Sequence, residues 1–164
     1  MIDILNANQV DLIEEASESG GAIHLGNWEI VKNAEYFKQH EIKFILSAIP
    51  EFLADFKYIK NTDITQKVIN AKDEGNWNML DQLDEAADFI KASREKGNIL
   101  VHCAAGISRS TTCLIAYYIK YKEMDMNSAL KKIKAKRSIV CPNVGFQKQL
   151  KMYEQKIAEQ RQAQ

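Results

Sequence analysis

The sequence predicts an α/β domain built on a central, mostly parallel, twisted sheet that is flanked by helices. Apolar runs of strand length alternate along the chain with stretches of helical length, which is typical of α/β domains. The clearest strand is Ile99–Val101, a short, wholly apolar run after Gly97, as expected of a strand buried on both faces. No repeat or Pro/Gly/Ser-rich linker divides the 164 residues. We therefore expect residues 1–164 to form a single domain, with its core at about 20–160.

In the first part of the chain the apolar pattern predicts two strands and a helix. The strands are expected at Ala22–Leu25 and Ile42–Ala48, and the helix at about Glu29–Gln39. The segment Pro50–Asp63 shows no clear period. Its aromatic residues indicate an ordered insertion that packs on the body of the domain: Phe52, Phe56 and Tyr58.

The remainder of the chain predicts one more strand before Ile99 and four helices. The strand is expected at Lys67–Ala71. Apolar residues at helical spacing predict an amphipathic helix at Asn78–Lys96. The stretch Thr111–Tyr121 is apolar all round, as expected of a helix in the centre of a domain. Two further helices are expected at Asn127–Lys136 and from Gly145 to about residue 159.

Composition limits the classes of partner. The chain has 22 Lys and Arg against 22 Asp and Glu, so net charge favours neither nucleic acid nor an acidic membrane. We expect a monomer that binds neither of them. The N-terminus lacks the basic start and apolar run of a signal peptide, and the longest apolar run, Cys113–Ile119, is too short to span a bilayer.

The three cysteines, Cys103, Cys113 and Cys141, have no paired spacing. A disulfide framework or a cysteine metal knuckle is therefore not expected, and reduced thiols in an intracellular compartment are the simpler interpretation. The cytoplasm is the expected location, with the nucleus as a further candidate.

The residues that carry chemistry are concentrated in His102–Ser110, between the predicted buried strand and the predicted buried helix. In such a loop the backbone N–H groups converge and the helix N-terminus adds partial positive charge, so a tetrahedral dianion fits well. Gly106 permits a backbone conformation that other residues resist. Cys103 begins the loop, where an anionic thiolate is favoured. Arg109, six residues later, offers a planar fork for two phosphoryl oxygens.

The run Val101–Ser110 resembles the His-Cys-x5-Arg-Ser signature of the protein tyrosine phosphatase superfamily, in particular its small, stand-alone dual-specificity branch. The similarity extends from about residue 23 to residue 153. Ala86–Ile90 resembles the helix before the catalytic strand, and Pro142–Phe146 resembles the C-terminal turn. The resemblance implies a protein-tyrosine-phosphatase-like fold. It also implies metal-independent hydrolysis of phosphotyrosine and phosphoserine or phosphothreonine in proteins, with Cys103 as nucleophile and no cofactor.

The departing oxygen needs a proton, for which a carboxylic acid on a separate loop is the natural donor. Asp73 follows a predicted strand and precedes Gly75, and it matches the position of the family's acid. Glu74 is the neighbouring alternative. The other upstream carboxylates have simpler interpretations as a helix cap or a solvated helix face: Asp63, Asp81, Asp84 and Asp88.

The resemblance also implies supporting roles. The Ser110 hydroxyl would help the thiolate leave when the phosphocysteine is hydrolysed, His102 would order the loop from behind, and Asn143 would support it. From the residues alone these three are a helix-start serine, a core histidine and a turn residue. Phosphate, or a similar oxyanion, is expected against the whole loop: Cys103, Ala104, Ala105, Gly106, Ile107, Ser108 and Arg109.

A basic cluster near the C-terminus has two interpretations. Its members are Lys131, Lys132, Lys134, Lys136 and Arg137. Such a run is usually a solvated face. Arg137 is the candidate to border the entrance of the site and attract a phosphorylated partner.

Alternative functions stay open at this point. One is a phosphatase of a non-protein substrate such as a phosphoinositide, an RNA 5′-triphosphate or a phosphoglucan. Lipid-specific relatives carry additional basic residues in the loop, where this chain has Ala104, Ala105, Ile107 and Ser108. Another is a catalytically inactive module that binds phosphosites, against which the intact Cys103 argues. A cysteine protease would not need an arginine in this loop.

Overall fold

The computed structural model describes residues 8–57 and 59–164. In this part of the chain a five-stranded sheet forms, with the strand order β1-β2-β5-β3-β4. Its strands are β1 Val10–Glu14, β2 Ile23–Gly26, β3 Ile42–Ala48, β4 Thr65–Ile69 and β5 Asn98–His102. β1 runs antiparallel to β2, and every other neighbouring pair is parallel. The predicted α/β fold with a mostly parallel sheet is therefore confirmed.

The helices cover the sheet and surround one central helix. They are α1 Ala34–Gln39, α2 Leu83–Arg94, α3 Arg109–Lys122, α4 Met126–Lys134 and α5 Val144–Gln162. α3 is buried continuously from Ser110 to Ile119 and packs against α2, α4 and α5, which confirms the predicted central helix. Within the described ranges, no helix combines the length and apolarity needed to cross a bilayer.

Two predicted helices are shorter than expected. The helix predicted at Glu29–Gln39 is a 3₁₀ turn, Ile30–Lys32, followed by α1. The break lies at Asn33, whose side-chain oxygen accepts the backbone N–H of Tyr36 at 3.0 Å and so caps the second helix. The helix predicted from residue 78 likewise begins with a 3₁₀ turn, Leu80–Gln82, before α2.

The insertion 50–63 is ordered around one of its aromatic side chains. Phe56 is 7% exposed, and its ring lies 5.1 Å from the ring of Trp28 and 5.7 Å from that of His102. The predicted packing is therefore confirmed for Phe56. It is wrong for Phe52, which lies in a 3₁₀ turn and is 81% exposed. Tyr58 lies outside the described residues.

β1 was not predicted from the sequence, and charged side chains attach it to the domain. Arg94 at the end of α2 is buried, and its guanidinium lies 2.8 Å from Glu14 of β1. The same guanidinium donates to the hydroxyl of Tyr117 at 2.7 Å, while the Tyr118 hydroxyl donates to Glu14 at 2.8 Å. This network holds the antiparallel edge strand against the central helix α3.

The carboxyl ends of the parallel strands define the edge of the sheet where the site lies. β5 is central, and Ile99, Leu100 and Val101 are fully buried. It ends at His102, directly before Cys103. β4 ends nearby at residue 69, before the loop that carries Asp73. Ligands of open α/β sheets bind at this edge.

Candidate active site

The loop between β5 and α3, residues 103–109, is called the cysteine loop below. Gly106 at its centre has a φ of +67°, in the left-handed region that favours glycine. A Cβ atom at this position would lie 2.6 Å from the carbonyl oxygen of Gly26 and 2.8 Å from Nη2 of Arg137. Glycine is therefore required both for the turn and for the close approach of β2.

Four successive carbonyl groups of the cysteine loop face outward. They accept hydrogen bonds as follows: Ala104 from the Trp28 N–H at 3.0 Å, Ala105 from Arg137 Nη2 at 3.3 Å, Gly106 from Arg137 Nε at 2.9 Å and Ile107 from the Cys141 N–H at 2.9 Å. The N–H and C=O groups of a trans peptide point in opposite directions. The N–H groups of residues 105–108 are therefore directed to the inside of the loop, where the Gly106 N–H lies 3.3 Å from Cys103 Sγ. This is a cradle for an oxyanion.

Cys103 lies at the base of this cradle. Its side chain is buried, and Sγ lies 3.1 Å from Oγ of Ser110 as well as near the Gly106 N–H. Ser108, the N-cap residue of α3, makes no side-chain cap to the helix. The first N–H groups of α3 are thus left for an anion, and the helix N-terminus adds partial positive charge beside Cys103 Sγ. Toward an anionic sulfur, which only accepts, the Ser110 hydroxyl is the donor.

Arg109 closes the cysteine loop at the first residue of α3. Its Nη1 donates to the carbonyl oxygen of Ala71 at 3.2 Å, which fixes the guanidinium beside the loop after β4. Its Nε is buried and has no hydrogen-bond partner among the described residues. A buried N–H without a partner is unfavourable by about 1–3 kcal/mol. A phosphoryl oxygen in the cradle is the acceptor that suits it.

His102 lies behind the loop and joins it to β3 and β4 through a chain of hydrogen bonds. Its Nδ1 lies 3.2 Å from the carbonyl oxygen of Cys103, and its Nε2 lies 2.7 Å from Oγ of Ser47. Because a carbonyl only accepts, Nδ1 carries the proton and Nε2 accepts from Ser47, whose oxygen in turn accepts from Gln66 at 2.9 Å. Burial lowers the pKa of His102 to about 4, against the opposing effect of the hydrogen bond to Cys103, and the charge of Arg109 lowers it further. The ring is therefore neutral at pH 7.

The predicted acid, Asp73, is exposed on the loop 70–79, called the acid loop below. Its carboxylate accepts a hydrogen bond from Nδ2 of Asn143 at 2.9 Å. The backbone N–H of Asn143 donates to Oγ of Ser108 at 3.0 Å. Asn143 therefore joins the acid loop to the cysteine loop, while no side-chain hydrogen bond within the described ranges holds Glu74.

Three of the other upstream carboxylates, Asp81, Asp84 and Asp88, bind side chains outside the cysteine loop, while Asp63 is exposed. Asp84 and Asp88 of α2 both accept hydrogen bonds from Lys120 of α3, at 3.0 Å and 2.6 Å. Burial alone would raise the pKa of Asp84, but hydrogen bonds from Lys156, Lys120 and then Tyr153 lower it to about 2. Asp81 accepts from the side chain of Asn78 at 2.7 Å.

The placement predicted for Arg137, at the entrance of the site, is wrong. Its side chain is buried, and beyond the two loop carbonyls it binds Asp11 at 2.7 Å and the carbonyl oxygen of Asn8 at 2.8 Å. The sequence carries no sign that β1 covers this guanidinium. Arg137 holds the cysteine loop in shape from outside. The neighbouring lysines are exposed, as expected of a solvated face: Lys131, Lys132, Lys134 and Lys136.

Several residues of the site were not predicted from the sequence. Trp28 and Gly26 approach the cysteine loop from the end of β2, and Ser47 with Gln66 supports His102. For these residues, the one indication in the sequence was the position of Gly26 directly after the strand predicted at Ala22–Leu25. A serine within a strand gives no indication of a histidine 55 residues away.

Comparison with known proteins agrees with this geometry. The family model described as "Dual specificity phosphatase, catalytic domain" matches residues 23–156. Dual specificity protein phosphatase 22 of Homo sapiens is 34% identical over 136 residues, which cover 80% of this chain and 70% of that protein. A crystal structure of DUSP15 superposes with a TM-score of 0.75 at 30% identity, covering 90% of this chain and 95% of that one. The chain belongs to the dual-specificity phosphatase family.

A larger relative shows that this domain also occurs within longer proteins. The MAP kinase phosphatase with leucine-rich repeats protein 3 of Dictyostelium discoideum is 36% identical over 145 residues. The match covers 86% of this chain but 16% of that relative. The similarity therefore concerns the catalytic domain and not the remainder of the longer protein.

Proposed function

We propose that the chain is a protein phosphatase that hydrolyses phosphotyrosine and phosphoserine or phosphothreonine through a phosphocysteine intermediate on Cys103, without a metal ion. One observation carries the proposal. The outward carbonyls of the cysteine loop turn its N–H groups inward, with the Cys103 thiol at the base and the unpartnered Nε of Arg109 at the end. Family membership supports the same reaction.

In the first step the substrate phosphoryl group lies in the cradle, with its oxygens on the loop N–H groups and Arg109. The Cys103 thiolate attacks phosphorus and forms a P–S bond as the P–O bond to the leaving group breaks. The protonated carboxyl group of Asp73 gives its proton to the departing oxygen. The cradle stabilises the charge that develops on the phosphoryl oxygens.

In the second step a water molecule attacks the phosphorus of the phosphocysteine. The Asp73 carboxylate takes a proton from that water, and the P–S bond breaks to release inorganic phosphate. The electron pair returns to sulfur as a thiolate, which accepts hydrogen bonds from the Ser110 hydroxyl and the Gly106 N–H. The enzyme is then restored with Asp73 protonated.

A phosphorylated protein is the substrate class that this site supports best. The positions of the cysteine loop that vary in lipid-specific relatives hold no basic side chain, and Ala104 and Ala105 are exposed at its rim. We infer a monomer that binds neither nucleic acid nor membrane. An intracellular setting, in the cytoplasm with the nucleus as a second compartment, is supported by three free cysteines: Cys103, Cys113 and Cys141.

The test is hydrolysis of a small aryl phosphate in the presence of a chelator, across pH. We expect turnover by the parent protein, none by Cys103→Ser, and a weakened basic limb of the pH profile in Asp73→Asn. Peptides that carry phosphotyrosine or phosphothreonine should then both be substrates. Activity that survives in Cys103→Ser would contradict the mechanism. An active enzyme that hydrolyses a phosphoinositide but neither peptide would contradict the substrate class.

A further inference from the structure

The acid loop rests on the N-terminal part of α5 at three points. The contacts are the Asn143 side chain on Asp73 at 2.9 Å, Gly145 against Gly75, and Gln149, which donates to the carbonyl oxygen of Trp77 at 2.9 Å and accepts from the Met79 N–H at 2.7 Å. They fall on residues 73, 75, 77 and 79 of the loop. The position of the acid loop is therefore set by α5 rather than by the sheet alone.

The middle contact leaves no room for a side chain on the helix. A Cβ atom on Gly145 would lie 1.7 Å from the carbonyl oxygen of Gly75 and 2.5 Å from its carbonyl carbon. Both are backbone atoms, so no side chain can rotate away to make space. In contrast, a Cβ atom on Gly75 would find its nearest neighbour at 3.8 Å, an ordinary van der Waals distance.

Gly145 has no positive φ that would require glycine. It lies in the first turn of α5, inside the helix. Alanine is favoured over glycine within a helix by about 0.8–1.0 kcal/mol. Glycine at this position is thus explained by the approach of the Gly75 carbonyl, two residues after Asp73.

We propose that Gly145 and Asn143 are positioning residues for the proton transfer by Asp73, and that contacts with the start of α5 fix the position of the acid loop. The inference rests on the proposed function of Asp73. A general acid must lie within about 2.6–3.2 Å of the oxygen that it protonates. Relieving a 1.7 Å contact at Gly145 displaces the loop by more than that tolerance allows. Misplacement by about 1 Å costs on the order of 100-fold in rate.

Two phosphate esters separate this role from general damage to the fold. Departure of a poor leaving group, as in phenyl phosphate, depends on the proton from Asp73, whereas departure of dinitrophenolate does not. Gly145→Ala is expected to lower kcat/KM for phenyl phosphate, which reports the steps up to P–O cleavage, about 10- to 100-fold. It should leave kcat/KM for dinitrophenyl phosphate, and competitive inhibition by inorganic phosphate, unchanged. Gly75→Ala adds the same methyl group on the other side of the contact and should leave both rates unchanged.

Two further variants test whether the effect passes through Asp73. In an Asp73→Asn background, Gly145→Ala should cause no additional loss, because the group it positions is gone. Asn143→Ser keeps an oxygen that caps the helix and the backbone N–H that reaches Ser108, but it lacks the amide donor to Asp73. It should therefore reproduce the selective loss with phenyl phosphate.

The outcomes distinguish the inference from the function on which it rests. Equal losses on both esters in Gly145→Ala, or no loss on either, would overturn the positioning role. A selective loss in Asp73→Asn without one in Gly145→Ala would overturn it as well, while leaving Asp73 as the acid. If Asp73→Asn itself shows no selective loss, the assignment of the acid is wrong and the inference falls with it.

Discussion

The neutral, buried imidazole of His102 makes the stability of the fold depend on pH in a defined window. Histidine has a pKa of about 6.5 in an unfolded chain. Burial lowers the pKa of His102 to about 4; the hydrogen bond to Cys103 opposes this shift, and the charge of Arg109 adds to it. Between these values the unfolded chain binds a proton that the folded chain does not. The stabilisation is therefore complete above pH 6.5 and is lost as the pH falls toward 4.

The size of the effect follows from the two pKa values. Within the window, each pH unit lowers the free energy of unfolding by about 1.4 kcal/mol for one such group. From pH 7 to pH 5, His102 alone should lower it by about 2 kcal/mol, and by about 3 kcal/mol once the pH reaches 4. Since the side chain is fully buried, solvent screens this effect little.

The assay is urea unfolding of the parent protein and of His102→Gln at pH 7 and pH 5. Between pH 7 and pH 5, the free energy of unfolding should fall by about 2 kcal/mol less in the variant than in the parent, whatever the stability of the variant at pH 7. His24 also has a pKa lowered to about 4, by burial and then by His40, but both proteins retain it and its share cancels. Parallel pH dependences of parent and variant would refute the assignment of a neutral His102 that resists protonation.

Three further predictions concern the surroundings of the site. Arg137→Lys replaces the planar fork, which donates to two loop carbonyls and to Asp11, with one ammonium group. The loss of a charged hydrogen bond of about 1.5–3 kcal/mol should weaken competitive inhibition by inorganic phosphate roughly tenfold or more, and unchanged inhibition would contradict the role of Arg137. Glu14→Gln leaves the buried Arg94 without its carboxylate partner and should lower the free energy of unfolding by roughly 3 kcal/mol. Glu15→Gln, at an exposed neighbour, should not lower it, and equal unfolding curves for the two variants would contradict the pairing. Burial, and then the nearby Cys103, raise the pKa of the Cys113 thiol, so iodoacetamide should label the exposed Cys141 but not Cys113 in the folded protein, as read by peptide mass spectrometry.

The parts of the fold that follow from local patterns could be predicted from the sequence. The apolar run of β5, the continuous burial of α3 and the loop between them depend on residues that are close in the chain. The loop position of Asp73 after β4 was likewise predicted, and the structure brings it to the cysteine loop through Asn143, while its role as the acid stays a prediction.

Features that depend on distant residues could not be predicted. From the sequence, Arg137 is expected to be exposed, because nothing near it in the chain indicates that it pairs with Asp11, 126 residues away. Gly106 needs the absence of a side chain partly because the carbonyl of Gly26 approaches it from another strand. The break in the helix at Asn33, in contrast, could have been predicted from nearby residues, since a capping asparagine within an otherwise helical stretch favours a new helix start over a continuous helix.

The central claim is that the phosphoryl group passes through Cys103. The most direct test is to stop the turnover of an aryl phosphate with acid on the millisecond scale and map the trapped phosphoryl group by mass spectrometry. The account predicts a phosphorylated peptide that contains Cys103 in the parent protein, and neither this adduct nor turnover in Cys103→Ser. A phosphoryl group trapped on another residue, or turnover without Cys103, would contradict it.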